Sequence, residues 1–206
     1  MKPNPSEVQQ NVGGNFYNKY ESKNPIAKWL MQGFLSAFDE LSAVGNPKTA
    51  FEVGCGEGKL STRLLSRGVD AHGIDLEEEV IQEANALSVE MGFGERFSAR
   101  DVYSMDMAAL DVDIFVCCEV LEHLPDPIKA LQSFRKANAK SFLFSVPREP
   151  LWRMMNMARG SYLGQLGNTP GHIQHWGTKA FVKMVEQHFE IVEVRTPLPW
   201  TFLLCR

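Results

Sequence analysis

The sequence lacks the features of a membrane or exported protein. It has no apolar run of 18 or more residues, so no segment is expected to span a membrane. The first 12 residues are polar and contain no apolar core of a signal peptide. We therefore expect a cytoplasmic protein.

The chain is also short of cysteine and of positive charge. None of its four cysteines forms a Cys-x-x-Cys pair, which argues against a zinc or disulfide framework and favours buried thiols in a reducing compartment. Asp and Glu outnumber Lys and Arg, giving a net charge of −4. Such a chain has no general attraction to polyphosphate, so nucleic acid is not an expected partner.

The sequence shows a regular alternation of strand-like and helix-like segments. Its length of 206 residues fits a single domain, 1–206. This alternation predicts an α/β fold with right-handed βαβ units and a doubly wound, mostly parallel sheet covered on both faces. The predicted strands are 49–53, 69–75, 96–101, 112–118 and 141–146, and the predicted helices are 26–45, 60–68, 77–91 and 126–138.

The pattern changes after Pro147. Residues 148–176 show no regular periodicity and are predicted to be irregular. A helix at 178–188 and two apolar strands, 189–195 and 200–205, follow. Because only four residues separate these two strands, the link is too short to cross a sheet, and the strands are predicted to be antiparallel.

A glycine-rich loop follows the first predicted strand. The segment Glu52-Val-Gly54-Cys-Gly56-Glu-Gly58 puts glycine at alternate positions, where the backbone can pass close to a ligand. A dinucleotide fingerprint would need glycine at position 59, which is lysine. The carboxylate of Glu52 would repel a pyrophosphate, but it suits a ligand with a positive amino group.

Two further carboxylates stand at predicted strand ends. Asp75 follows Gly54 by about 20 residues, the spacing at which a carboxylate reaches ribose hydroxyls in nucleoside-binding βαβ units. Asp101 suits an adenine amino group, and Val102 suits the face of the ring. An ammonium, a ribose and an adenine together describe S-adenosylmethionine. Taken singly, each carboxylate also fits a structural role, a salt bridge for Glu52 or a helix cap for the two aspartates.

These segments resemble the class I S-adenosylmethionine-dependent methyltransferases, and within them the small-molecule branch that includes the ubiquinone-biosynthesis O-methyltransferases. The motifs FEVGCGEG, GIDLEEEVIQEA, SARDV and FVCCEVLEHLPDP carry the resemblance. It implies a Rossmann-like sheet of seven strands with an antiparallel last strand, and S-adenosyl-L-methionine as cofactor. The predicted cofactor-binding residues are Glu52, Gly54, Gly56, Gly58, Asp75, Leu76, Asp101, Val102 and Glu119.

The loop after the fourth strand carries the predicted acceptor chemistry. In a doubly wound sheet the ligand crevice lies at the carboxyl ends of the strands, so this loop is expected to face the methyl group. An imidazole that titrates near neutral pH can deprotonate an oxygen acceptor. We predict that His123, with His172, places or deprotonates the acceptor. The alternative is a histidine that only orders the loop before Pro125.

The same region offers the ligand types of a divalent metal. Glu119, Glu122 and His123, joined by the distant His172, resemble the Glu-x-x-Glu-His pattern of small-RNA terminal 2′-O-methyltransferases. Because small-molecule methyltransferases share most of this pattern, core or loop-ordering roles are preferred and no metal ligand is predicted. A metal-assisted RNA 3′-terminal 2′-O-methyltransferase remains an alternative function.

Two segments are expected to border the site. Residues 148–183 carry five basic residues against one acidic residue, and 148–176 is predicted to be a lid that recognises an anionic or amphipathic acceptor. The alternative is a solvated helix with a buried methionine face. Residues 1–24 are predicted to be a flexible or cofactor-capping segment, in which Tyr17 and Tyr20 close over the cofactor.

The sequence thus predicts an S-adenosylmethionine-dependent methyltransferase that acts on a small-molecule acceptor. A non-catalytic subunit that binds S-adenosylmethionine is a further alternative, and it would be indifferent to substitution of His123. A nicotinamide oxidoreductase is disfavoured by Lys59 and Glu52.

Overall fold

The structure, a computed structural model, describes residues 24–206. The predicted capping segment, with Tyr17 and Tyr20, lies outside the described residues except for Asn24. None of the helices in the described part of the chain is both long enough and apolar enough to cross a membrane. The described elements are α1 (Pro25–Ser42), β1 (Thr49–Val53), α2 (Lys59–Leu65), β2 (Asp70–Asp75), α3 (Glu78–Glu90), β3 (Phe97–Ala99), β4 (Asp111–Cys118), α4 (Pro127–Phe134), β5 (Asn138–Pro147), α5 (Leu151–Ala158), α6 (Thr178–Val185), β6 (Ile191–Arg195) and β7 (Trp200–Cys205).

The strands form one seven-stranded sheet in the order β3-β2-β1-β4-β5-β7-β6. Strands β1 to β5 pair in parallel. Strand β7 lies between β5 and β6 and is antiparallel to both. The predicted Rossmann-like architecture with an antiparallel last strand is confirmed.

The sheet is buried on both faces because alternate side chains of its central strands enter different cores. In β4, Ile114, Val116 and Cys118 pack with the apolar faces of α1 and α2. Phe115 and Cys117 point the other way and pack with α4 and α6. This explains the continuous apolar run in β4, since a strand covered on both faces needs no polar side.

Several predicted boundaries differ from the structure by two to four residues, and those between α4 and β5 are wrong for a physical reason. The helix expected to reach residue 138 ends at Phe134, because Asn138 already begins β5 and pairs with Asp111 of β4. The first residues of β5 are partly exposed and polar, so the apolar pattern does not mark them. In addition, part of the region expected to be irregular, 148–176, forms α5, an amphipathic helix of eight residues.

Candidate active site

One cavity of about 730 Å³ opens at the carboxyl ends of β1, β2 and β4, where ligands bind in open α/β sheets. Its walls come from the glycine loop, the loops after β2 to β4, the first turns of α1, and α5 with the segment that follows it. Ten of the predicted site residues line it: Glu52, Gly54, Gly56, Asp75, Leu76, Asp101, Val102, Glu119, His123 and His172.

The glycine loop needs its glycines for different reasons. Gly54, Gly56 and Gly58 all have positive φ, between 52° and 73°, a region that side chains disfavour. A Cβ on Gly54 would lie 2.2 Å from Cγ2 of Val120, whereas a Cβ on Gly56 would meet no atom within 4 Å. The backbone at Gly56 is therefore open to the cavity, as expected for close approach of a ligand.

Gly58 differs from the other two because it does not line the cavity. A Cβ there would lie 3.0 Å from the ring of Phe97 and 3.2 Å from Cβ of Ala84. The glycine is explained by tight packing at the start of α2. Gly58 is therefore left out of the cofactor site proposed below.

The aspartates at the ends of β2 and β3 hold their own loops as well as facing the cavity. Oδ2 of Asp75 accepts the N–H of Gly56 at 2.9 Å, and Oδ1 accepts the N–H of Glu77 at 3.3 Å. Oδ1 of Asp101 accepts the N–H of Tyr103 at 2.9 Å. Neither aspartate caps a helix, which was the structural role considered above, since α3 begins after Glu77 and no described helix begins next to Asp101. The bonds to backbone N–H groups hold turns instead, and they fix both carboxylates at the cavity wall.

Glu52 is a buried acid at the bottom of the glycine loop. Its Oε2 accepts the hydroxyl of Ser61 at 2.5 Å, and the side chain is almost fully shielded from solvent. Burial raises the pKa of the Glu52 carboxyl to about 8, although the bond from Ser61 acts in the opposite direction. The group is therefore mostly neutral at pH 7 until a positive charge arrives.

Glu119 follows β4 with an unusual backbone, φ 61°. Its carboxylate accepts Nε1–H of Trp200 at 2.6 Å on Oε2 and the hydroxyl of Ser145 at 3.2 Å on Oε1. Neither partner was singled out from the sequence. No local pattern marks them, because β5 and β7 bring them together through the pairing of Pro147 with Trp200.

The two predicted acceptor-side histidines lie against each other. Their ring centroids are 4.8 Å apart and the planes meet at 84°. Nδ1 of His123 is 2.9 Å from the carbonyl oxygen of Gly171. Because a carbonyl only accepts, Nδ1 carries the proton, and Nε2 of the neutral ring is the basic nitrogen.

A group with possible metal ligands is formed by Glu122, His123 and His172. One ligand atom from each lies within 4.8 Å of the other two. Glu119, the fourth residue in the sequence hypothesis, does not belong to this group, since Trp200 and Ser145 hold its carboxylate.

The basic residues of 148–183 contribute little to the cavity. Of the five, Arg159 alone is among the lining residues that the structure describes. Nε of Arg153 instead donates to the carbonyl of Leu166 at 3.0 Å. The α5 side of the cavity is formed mainly by Trp152, Met155, Asn156 and, beyond the helix, Tyr162 and Thr169.

Comparison with known proteins gives matches of sequence and of fold. Residues 46–187 match a family model described as a methyltransferase domain. Over 141 residues the chain is 33% identical to a ubiquinone biosynthesis O-methyltransferase of Xanthomonas axonopodis pv. citri, covering 66% of this chain and 56% of that protein. A protein of the same description from Paraburkholderia phymatum is 33% identical over 116 residues, which cover 48% of this chain and 49% of that protein. The chain thus spans about half the length of these curated relatives.

Among solved structures, the fold is similar to a magnesium protoporphyrin IX methyltransferase from Synechocystis PCC 6803 with bound SAH. The TM-score is 0.66 at 20% identity, and the match covers 89% of this chain and 88% of that one.

Proposed function

The chain belongs to the methyltransferase domain family, whose enzymes use S-adenosylmethionine, and we propose that it methylates a hydroxyl group of a small molecule. The observation that carries the proposal is a single cavity with two ends of different chemistry. One end has the open glycine loop and three carboxylates, and the other has the paired histidines. The O-methyltransferase description of the curated relatives supports an oxygen acceptor.

We propose that S-adenosylmethionine lies along the glycine-loop end and supplies the methyl group as a sulfonium. In this proposal Glu52 attracts the ammonium group, Asp75 accepts from the ribose hydroxyls, and Asp101 accepts from the adenine amino group. Gly56 leaves room for the close approach of the cofactor, and Gly54 lines the same part of the cavity beside Val120. Leu76 and Val102 supply apolar contact, and Glu119 borders the methionine part.

At the other end, His123 is proposed as the base. Its Nδ1–H donates to the carbonyl of Gly171, and in this proposal Nε2, which lies 4.0 Å from Oε1 of Glu122, takes the hydroxyl proton. The acceptor oxygen then forms a bond to the methyl carbon as the bond from carbon to sulfur breaks, leaving S-adenosylhomocysteine. His172 packs on His123 and lines the same part of the cavity. In this proposal the two histidines hold the acceptor in line with the methyl group.

The test is methyl transfer from labelled S-adenosylmethionine to a metabolite extract and to a panel of phenols and alcohols. We expect label in an ether product, and a loss of about 10²-fold or more in kcat for His123→Ala. The binding of S-adenosylhomocysteine should be unchanged in that variant. His72→Ala is the matched control, since His72 lies in β2 and does not line the cavity. Transfer that is insensitive to His123→Ala would overturn the assigned base.

A second candidate is metal-assisted methyl transfer, which the Glu122, His123 and His172 group favours. One carboxylate and two imidazoles suit a divalent transition metal. The bond from Nδ1 of His123 to a backbone carbonyl is the kind of outer contact that orients a histidine ligand. Such a metal would polarise the acceptor hydroxyl. In the RNA alternative named above, that hydroxyl is the 2′-hydroxyl of the 3′-terminal ribose.

Chelation separates the two candidates. The base mechanism predicts full activity after treatment with EDTA and dialysis. The metal mechanism predicts loss of activity and recovery with Mg²⁺, Mn²⁺, Co²⁺ or Zn²⁺. A short RNA with a free 3′-terminal ribose, compared with the same RNA already 2′-O-methylated, tests the RNA version. Activity on neither RNA would exclude it.

A further inference from the structure

Three polar side chains on the acceptor side of the cavity form a compact hydrogen-bonded group. Oγ1 of Thr169 accepts Nε1–H of Trp152 at 2.9 Å and Nδ2–H of Asn156 at 3.2 Å. Nδ2 of Asn156 also donates to the carbonyl of Gly167 at 2.8 Å. Trp152 and Asn156 lie one turn apart on α5, so the group ties this helix to the segment after it. We call Trp152, Asn156 and Thr169 the α5 latch.

The latch holds a short turn, residues 169–172, whose backbone carbonyls bind both histidines of the pair. The carbonyl of Thr169 accepts the N–H of His172 at 3.1 Å. The carbonyl of Gly171 accepts the Nδ1 proton of His123. The hydroxyl of Thr169, in the segment that follows α5, thus anchors the turn that orients both imidazoles.

Trp152 also touches the pair directly. Its ring stacks on His172 with centroids 5.9 Å apart and an angle of 25°, while His172 in turn meets His123 edge to face. Trp152 also packs against Trp200, with ring centroids 5.7 Å apart, and Trp200 donates to Glu119. The indole therefore contacts both His172 and the tryptophan that holds Glu119.

We propose that the α5 latch is the positioning device for His123 and His172, with Thr169 as its central residue. The proposal rests on the proposed function, because the two histidines border the acceptor there. Removing the Thr169 hydroxyl takes the acceptor from Nε1–H of Trp152 and one of two acceptors from Nδ2 of the buried Asn156, which keeps its bond to Gly167. The turn 169–172 then loses its fixed position, and a displacement of about 1 Å at a reacting group is enough to slow a reaction roughly 10²-fold.

The kinetic test compares Thr169→Val, which keeps the shape but removes the oxygen, with Thr169→Ser, which keeps the oxygen. We expect kcat to fall at least about tenfold in Thr169→Val with an unchanged KM for S-adenosylmethionine, and Thr169→Ser to stay close to the wild type. Thr178→Val is the matched control, because it removes a threonine bond to Thr201 outside the cavity. Equal activity of Thr169→Val and wild type overturns the proposal.

A second measurement needs no acceptor. In NMR spectra, the imidazole Cε1–H resonances of His123 and His172 should shift in Thr169→Val, while those of His72 and His188 stay in place. If the wild type transfers no methyl group to any acceptor, the proposed function fails, but this spectrum still tests the latch. Unchanged resonances for His123 and His172 overturn it.

Should Thr169→Val fail to fold, Trp152→Phe replaces it in both measurements. That variant keeps an aromatic ring over His172 but removes the N–H to Thr169 together with the pyrrole ring of the indole. Because the change of ring shifts the His172 resonance in any case, the test is the shift of His123 together with the fall in kcat. The absence of both contradicts the latch.

Discussion

The two ends of the cavity are built in different ways. The cofactor end comes from segments that follow β1, β2 and β3 in order, and its bonds join successive loops, such as that of Asp75 to Gly56, 19 residues apart. The acceptor end is assembled across the chain, with His123 bound to Gly171, 48 residues away, and Trp200 joins it to the cofactor end by binding Glu119. The cofactor end can therefore be recognised in the sequence, whereas the acceptor end depends on the sheet order that brings β7 beside β5.

The largest expected effect concerns the cofactor end. Gly54→Ala should weaken S-adenosylhomocysteine binding by about 10²-fold or more, and it should destabilise the protein by about 1–3 kcal/mol through overpacking. The added Cβ meets Val120 at 2.2 Å on a backbone with positive φ. Calorimetry and thermal unfolding measure both effects.

Gly56→Ala is the matched control, since its Cβ meets no atom within 4 Å. It carries the backbone strain of about 1–2 kcal/mol without the clash, so it should be the more stable of the two variants. If Gly54→Ala is as stable as Gly56→Ala, the close approach of Val120 to the loop is wrong.

This contrast explains how much the sequence predicts. The parallel βαβ alternation, the glycine loop and the carboxylates at strand ends follow from local spacing, and eight of the nine predicted cofactor residues line the cavity. Gly58 is the exception because its neighbour, Phe97, comes from a distant strand.

The acceptor end gives weaker signals for a physical reason. His123 and His172 were paired only through resemblance, and no periodicity marks Asn156 or Thr169. Their hydrogen bonds depend on how α5 and the residues after it fold back on each other. The partner of Glu119 is likewise set by the register of β5 and β7, which spacing alone does not predict.

A smaller effect is expected from Glu52, in the pH dependence of the affinity for S-adenosylhomocysteine. The pKa of its carboxyl is about 8 without cofactor, and a bound ammonium favours the ionised form, lowering that pKa. Affinity for S-adenosylhomocysteine should therefore rise with pH below about 8, by at most about tenfold per unit, and level off above it. Glu52→Gln should bind more weakly at pH 8 and lose this slope.

5′-Methylthioadenosine is the matched ligand, because it keeps the adenine and ribose but has no ammonium group. Its affinity should show no dependence on Glu52 ionisation. Equal pH slopes for the two ligands would rule out pairing between Glu52 and the ammonium.

The same carboxyl affects stability with a definite sign. Its pKa in the folded protein, about 8, lies above the ordinary value of 4.5 for a glutamate carboxyl, so the folded state binds more protons between these values. The contribution of Glu52 to stability is present below about pH 4.5 and is lost as pH rises towards 8. Urea unfolding should show wild type losing stability relative to Glu52→Gln over that interval. A constant difference would contradict the raised pKa.

The smallest expected effect is at Trp200, which links the two ends. Trp200→Phe keeps most of the packing on Phe34 but removes the N–H that Glu119 accepts. A hydrogen bond to a charged group contributes about 1.5–3 kcal/mol, while Ser145 still donates to the other oxygen. We therefore expect S-adenosylhomocysteine affinity to fall by no more than about tenfold. Trp176→Phe, outside the cavity lining, is the control. An unchanged affinity in Trp200→Phe would mean that Glu119 borders the methionine part without depending on Trp200, and the two ends of the cavity would then be independent.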